Sequence, residues 1–562
     1  MAIVLKTRKR AVGVATYSRG EESHLRPAYV PKTPPCRSAC PSDNDIRGFL
    51  TMIGQQEYFG KTHDEAMEEA WKIYCDTNPM PAVLGRVCPH FCETDCNRGK
   101  LDESVSINQV ERAVGDYGIA KGLKHEKFAD ADGSAKVAVI GAGPAGLSCA
   151  YQLARRGHSV TVFESAPKSG GMLRYGIPSY RLPEDVLDAE VAKIADLGVE
   201  IKYDTKVGKD VSFDDLGKDF DAIYVGIGAQ EGWTLGIPGE EGEGVMNAVE
   251  FLNMVNSGED VDVSGKKVLV IGGGNSAVDA ARVSWRMGAE PRMVYRRTEE
   301  EMPAEEEEIK DTKDEGIPID ILVAPVEVIR EDGKVTGLKV QKMELGEPDD
   351  SGRRRPVPVE GSEYVMEADM IIPAIGQQPD FEGLDAVKDE NGWITVDEKS
   401  MTEVDSTFAG GDVTNKLGTV TEAVGLGARA AKAIDYHVRG EEMPKEFPGK
   451  KVNFDEMATG HYPPLERMPK SHISVDARKG NFDEVVSTFS EEATLAESER
   501  CLSCGMCFGC ENCYMFCTYG AIKKIPKEDI VFGEDRYTFR LDACVGCKKC
   551  AEECPCNYID MA

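Results

Sequence analysis

From Lys136 to about Tyr436, apolar runs of strand length alternate with helix-period patterns and Gly-rich turns, the rhythm of parallel sheets covered by helices. Residues 136–140 read as a short buried strand, the run to Arg156 as a helix, and 159–163 as the next strand. The succession returns at 268–271, with a helix to about Met287 and a strand over 292–295. Outside this stretch the rhythm fails. Before residue 135, helical patterns such as 64–74 interleave with turn-rich loops and close in the polar stretch 129–134. Residues 440–497 form a connector rich in proline and charge with no chemical motif, and the remainder is dense in cysteine. The expected segments are 1–134, 135–235, 236–375, 376–440, 441–497 and 498–562.

A chain of 562 residues exceeds what one core organises, so several chemistries can share it. The net charge of -32 sets nucleic acid aside, because phosphate binding needs a basic face. No run approaches the roughly 20 apolar residues of a membrane span. Residues 1–10 are basic without the apolar stretch of a secretory signal, so the expected compartment is the cytoplasm. Eighteen cysteines in a secreted chain would suggest disulfides. Here all but Cys149 fall in two groups, one near each end, at mostly short spacings, which favours clusters or metals.

Cys507, Cys510, Cys513 and Cys517 are spaced C-x2-C-x2-C-x3-C, and Cys544, Cys547, Cys550 and Cys554 repeat that spacing 37 positions on, with Ile559 following Ile522 in phase. Structural zinc would need two separated pairs of thiolates, whereas four come here in one compact run, twice. The pattern resembles the bacterial two-cluster ferredoxin, in which the fourth cysteine of each run ligates the other cluster. The resemblance implies one 4Fe-4S cluster on Cys507, Cys510, Cys513 and Cys554 and another on Cys544, Cys547, Cys550 and Cys517. Thr518 stands where that family has proline, which affects a turn and removes no ligand.

Gly141, Gly143 and Gly146 form a G-x-G-x-x-G turn between the first strand and helix, where bare backbone and a helix N-terminus can approach a pyrophosphate. Glu164 ends the next strand, placed to bind ribose hydroxyls. The second unit carries Gly272, Gly274, Asn275 and Ser276, but Arg296 and Arg297 replace the acid. A guanidinium pair favours a 2′-phosphate, hence NADP(H) over NAD(H); the alternative is two surface arginines after a strand. The run Glu305 to Glu308 reads as a solvated helix face. Two loops imply two dinucleotides, FAD on the first. The segment 407–412, with Gly411 and Asp412, resembles the second FAD fingerprint of two-dinucleotide flavoproteins. By the same resemblance Gly171, Leu173 and Thr421 lie near the flavin.

Through about residue 440 the chain resembles the glutamate synthase small-subunit family, which includes the flavin half of dihydropyrimidine dehydrogenase and the large subunits of bifurcating transhydrogenases. The residues that carry this are Cys36-x3-Cys40-Pro41, Gly85-Arg-Val-Cys88-Pro with Cys92 and Cys96, the first FAD loop, 171–178, Tyr295-Arg-Arg297 and Ala409-Gly-Gly-Asp412. The resemblance implies two further 4Fe-4S clusters in a helical domain, one on Cys40, Cys88, Cys92 and Glu111. The family completes the other with a C-x2-C unit upstream of Cys36, absent here. Glu499-Arg-Cys501-Leu-Ser-Cys504-Gly resembles that unit, so Cys501 and Cys504 are expected to fold back onto Cys36 and Cys96; the competing reading is four surplus thiols. Cys75, Cys149 and Cys556 read as ordinary buried thiols, and His90 as a neighbour of the Cys88 site and not a ligand.

The expected fold class is multi-domain: an N-terminal α-helical iron–sulfur domain, two α/β Rossmann-like domains with the NADP domain inserted in the FAD domain, and a C-terminal α+β ferredoxin-like domain. The expected activity is an FAD- and iron–sulfur-dependent NAD(P)H oxidoreductase. Hydride would pass between nicotinamide and flavin, and single electrons between flavin and clusters, four in all, because a cluster accepts one electron where nicotinamide gives two. No catalytic acid or base is identified, and no C-x-x-C pair lies within the nucleotide-binding domains. The expected partner is ferredoxin or a redox subunit in a larger complex, one that bifurcates electrons or one that does not. Alternatives are a glutamate synthase small subunit and a non-catalytic relay.

Overall fold

The computed structural model describes residues 22–128, 135–349, 352–414, 418–445, 449–526, 529–533 and 536–562. The expectations for residues 1–10 and for the stretch 129–134 fall outside them. Two compact units emerge: one takes the described residues of 22–125, 442–470 and 488–562, the other those of 126–441 and 471–487.

The second unit contains both α/β domains. A five-stranded parallel sheet runs in the order Thr407–Ala409, Ala222–Val225, Lys136–Ile140, Ser159–Phe163, Glu200–Lys202. Its inner strands are buried on both faces, as parallel strands between helices must be. A second parallel sheet runs Ile319–Ile321, Glu290–Tyr295, Lys267–Ile271, Met370–Pro373. The chain leaves the first domain through Glu231–Gly232 and returns through Gln377–Gln378, and these two strands pair antiparallel. That ribbon joins the two ends of the insertion. An antiparallel sheet of Val323–Glu331, Lys334–Pro348, Arg354–Pro358 and Tyr364–Glu367 also lies within the insertion; the reading of the sequence did not foresee it.

Residues 471–487 of the connector belong to this unit as a strap. Ile473 N–H donates to Val485 O at 2.9 Å and Val485 N–H to Tyr180 O at 3.0 Å. Val485 is buried in the same apolar core as Val268, Val270 and Ile372, and Phe482 packs against it.

In the first unit, helices Ile46–Gly54, His63–Cys75 and Ile107–Ala120 bury Phe49, Leu50, Trp71, Tyr74, Val110 and Val114 together. His63–Cys75 begins on a capping box of Thr62 and Glu65. Helix Pro81–Val87 meets Ile107–Ala120 backbone to backbone: a Cβ on Gly115 would fall 2.1 Å from Ala82 N. The tail joins the same unit. Helix Glu491–Ser498 lies against Ile46–Gly54, where a Cβ on Gly54 would fall 2.8 Å from Ser498 O. Strand Pro27–Tyr29 pairs antiparallel with the last strand, Ile559–Met561.

Among the described residues no helix is long and apolar enough to cross a membrane.

Candidate functional site

Strand Lys136–Ile140 feeds the glycine turn and helix Pro144–Arg155. Gly141 has φ +99°, a region that side chains strain to enter. A Cβ on Gly146 would stand 1.9 Å from Gly141 O, so only glycine lets the helix start this close to the strand. Around Gly143 the space is open: the nearest atom to a Cβ there would be Gly171 Cα, at 4.0 Å. Two bare backbones thus face each other at a helix N-terminus, a cradle suited to a pyrophosphate. Glu164 braces the loop, its Oε2 accepting from Ala142 N–H at 2.7 Å and its Oε1 from Ala166 N–H at 2.8 Å. Burial raises its pKa and these hydrogen bonds oppose the rise.

Gly411 lies at φ +82° beyond strand Thr407–Ala409, its missing Cβ 2.9 Å from that of Ala145, which brings the second fingerprint to the first loop. Burial lifts the adjoining Asp412 carboxyl to about 6. Leu173, on the short helix Met172–Tyr175, and Thr421, in the first turn of Val420–Val438, are both buried. Gly146→Ala is expected to give a chain that purifies without flavin but with unchanged iron. A stoichiometric flavin content in that variant would contradict the cradle.

In the inserted domain a Cβ on Gly272 would stand 2.3 Å from Ala374 O, whereas the surroundings of Gly274 are open, with Pro303 Cγ nearest at 3.8 Å. Asn275 and Ser276 open helix Asn275–Arg286, and Asn275 Oδ1 accepts from Glu305 N–H at 3.0 Å. The structure divides the arginine pair. Arg296 is exposed at the end of strand Glu290–Tyr295. Arg297 is buried, its guanidinium bonded to Asp349 at 2.6 Å and to Arg354 O at 2.9 Å, so it braces the turn. The acidic run is solvated at Glu306 and Glu307, but Glu308 pairs inward with Arg181 at 3.1 Å and with Arg282, a departure from a wholly solvated face.

In the first unit the cysteines expected to share clusters lie near one another. Burial raises the Cys92 pKa and Cys88, Glu111 and Cys36 add to it, while Tyr74 responds to Glu111, Cys40 and Cys88, so Cys40, Cys88, Cys92 and Glu111 share one neighbourhood. Burial followed by Cys96, Cys501 and Cys504 raises Cys36. The segment carrying Cys501 and Cys504 is docked by several contacts. Arg47 donates to Cys504 O at 2.8 Å, Thr51 and Ser503 hydroxyls lie 3.0 Å apart, Asn97 Nδ2 reaches Cys504 Sγ at 3.6 Å, and buried Arg98 donates to Arg500 O at 3.2 Å. Burial, then Cys554 and Cys507, push Cys510 up to about 12; burial, then Cys544, Cys547 and Cys517, do the same to Cys550. The fourth cysteine of each tail run therefore sits with the other run. Among the described residues no three His, Cys, Asp or Glu side chains converge on one ion-sized point.

Consecutive sets adjoin. Cys92 lies near Cys36, and Tyr462 lies among Cys504, Cys510, Cys554 and Cys556. Cys513 lies on the short helix Asn512–Phe516 and Cys517 caps its C-terminal end, so one helix carries a member of each tail set. Reading the sequence missed Tyr462, whose hydroxyl donates to Leu502 O at 2.7 Å, because a lone tyrosine in a charged connector carries no periodic signal. It also missed Tyr74, which donates to the Glu111 carboxylate while Asn78 Nδ2 donates to the Tyr74 oxygen at 3.0 Å. Burial pushes Glu111 up to about 8 despite that bond. His90, at φ +44°, gives its backbone N–H to Cys88 Sγ at 3.4 Å, and its ring Nδ1 lies 2.8 Å from Cys88 O. Cys75, Cys149 and Cys556 are buried.

A pyridine nucleotide-disulphide oxidoreductase model matches residues 135–427, a dihydropyrimidine dehydrogenase domain II 4Fe-4S cluster model residues 28–123, and a 4Fe-4S dicluster domain model residues 506–558. The NADP(+)-dependent formate dehydrogenase subunit beta of Moorella thermoacetica is 39% identical over 507 residues, 84% of this chain and 70% of its own length. The NADPH-Fe(3+) oxidoreductase subunit beta of Geobacter sulfurreducens is 36% identical, covering 84% of this chain and 75% of its own length. The glutamate synthase [NADPH] small chain of Escherichia coli is 36% identical, covering 71% of this chain and 88% of its own length.

Proposed function

Since the chain belongs to the pyridine nucleotide-disulphide oxidoreductase family and carries 4Fe-4S domains on both sides of that fold, we propose that it is the electron-handling subunit of a larger redox complex, exchanging electrons between NADP(H) and a partner through FAD and four clusters. Bound flavin supplies the exchange of paired for single electrons, and the clusters carry the singles. The chain's residues do the placing. The glycine cradle with Glu164, Gly411 and Asp412 would hold FAD, and Gly272, Gly274 and Arg296 the nicotinamide dinucleotide. The four sets of the first unit would hold the clusters, Tyr74 fixing the Glu111 carboxylate towards the first. The observation that carries this reading is the unbroken series of sets from Glu111 to Cys544. That these relatives are a subunit beta of two redox enzymes and a small chain of a third supports a multi-subunit setting.

Anaerobic addition of NADPH to the purified chain is expected to bleach flavin absorbance and then the broad iron–sulfur absorbance. Flavin bleaching with clusters left oxidised would sink the relay. A glutamate synthase small-chain role is the second reading, favoured by the match to 88% of the E. coli chain; companions that co-purify decide between them.

Arg296→Ala is expected to raise the KM for NADPH and leave that for NADH within about twofold. A hydrogen bond to a charged group contributes about 1.5–3 kcal/mol, roughly a ten- to hundred-fold change. Equal changes for both nucleotides would remove Arg296 from the 2′-phosphate.

A further inference from the structure

The two halves of the tail repeat at 37 positions, and the repeat holds down to single hydrogen bonds. Ala521 N–H donates to Cys517 Sγ at 3.3 Å, and its counterpart Tyr558 N–H donates to Cys554 Sγ at 3.2 Å. The symmetry breaks two residues after each of these cysteines. Cys556 Sγ lies 3.8 Å from Cys554 Sγ, and both are buried. The counterpart of Cys556 is Tyr519, whose buried hydroxyl makes no hydrogen bond among the described residues. Cys554 thus has a sulfur–hydrogen donor at hand that Cys517 lacks.

The sets differ in exposure too. Cys507, Cys513 and Cys554 are buried and Cys510 is partly exposed, whereas Cys517, Cys544, Cys547 and Cys550 are all partly exposed. Reduction adds negative charge to a cluster, so burial opposes it, and hydrogen bonds to ligand sulfurs favour it. Exposure alone would set the inner cluster below the outer one, and an S–H bond in a dry site acts against that difference.

We infer that Cys556 is a positioning residue that raises the reduction potential of the cluster held by Cys507, Cys510, Cys513 and Cys554, by donating its S–H to Cys554 Sγ. This rests on the cluster assignment proposed above. The donor keeps the inner site from becoming a barrier between the Cys504 set and the outer tail site.

The test is EPR-monitored potentiometric titration of the full chain, with iron and sulfide content measured alongside. Cys556→Ala is expected to keep its iron and sulfide and to move one tail signal to lower potential with the other in place. Cys556→Ser, which retains a donor, should recover part of the shift. Tyr519→Cys, which installs the donor beside Cys517, should raise the other signal. Unchanged potentials in fully loaded Cys556→Ala overturn the inference, as does loss of one cluster from it, which would make Cys556 a ligand. A parent chain without tail clusters sinks the functional reading as well; unchanged potentials in a loaded variant sink only the inference.

Discussion

Changing Cys501 and Cys504 together to serine is expected to remove one cluster per chain, about a quarter of the iron when four are bound, and to disconnect the flavin from the tail. Serine oxygen is a poor substitute for a soft thiolate on iron. The pair lies beside Cys36 and Cys96 because Arg47, Thr51, Asn97 and Arg98 hold residues 500–504 against the N-terminal helices. Those contacts use backbone carbonyls and neighbouring side chains, so most of the docking survives the substitution. NADPH should still bleach the flavin at the parental rate, since both nucleotide loops belong to the other unit. Reduction of the tail clusters, followed by EPR after rapid mixing, should fall to background. Unchanged iron per flavin would mean that the four cysteines are surplus thiols.

The second large effect concerns stability. Glu315 ends helix Glu306–Asp314, fully buried, and takes hydrogen bonds from Arg282 at 2.8 Å, Arg286 at 2.9 Å and Arg478 of the strap at 3.1 Å. Arg286 also stacks on Tyr180, 3.9 Å from the ring centre. Removing the carboxylate leaves Arg286 without an acidic partner among the described residues, whereas Arg282 keeps Glu308 and Asp311, and Arg478 keeps Asp311. Breaking a buried pair from one side costs about 3–5 kcal/mol, so Glu315→Ala should lower the denaturant midpoint of the α/β unit by a corresponding amount.

The pH dependence follows from the same site. Burial alone would raise the Glu315 carboxyl, but hydrogen bonds and charge from Arg282 and Arg286 outweigh it and hold the pKa at about 2. A pKa depressed on folding stabilises above the unfolded value, about 4.3, and that contribution disappears as pH falls towards 2. The stability gap between the parent and Glu315→Gln should therefore be full near neutrality and shrink below about pH 4.3. A gap that does not change with pH would mean that the carboxylate charge is not what stabilises.

Much of this architecture was legible in local signals. Strands Lys136–Ile140 and Ser159–Phe163 run over the residues that the apolar pattern marks, because a strand buried on both faces must be continuously apolar. The glycine turns are visible because only glycine fits a Cβ-free approach such as that of Gly146. Arg296 and Arg297 look equivalent in sequence. They part only in the fold, where Asp349, 52 residues on, claims Arg297. The strap was invisible for a similar reason: Arg478 acquires its purpose from carboxylates on a helix more than 160 residues earlier.

By itself the sequence determined the inventory: two nucleotide loops, two cysteine runs in a 37-residue repeat, and thiols near both ends. Spacing and glycine placement are local, and local sterics fix what they allow. The tertiary structure alone decided which arginine stays exposed and which connector segment joins which unit. Those outcomes depend on contacts between residues far apart in the chain, whose energies exist only once the intervening segments have packed.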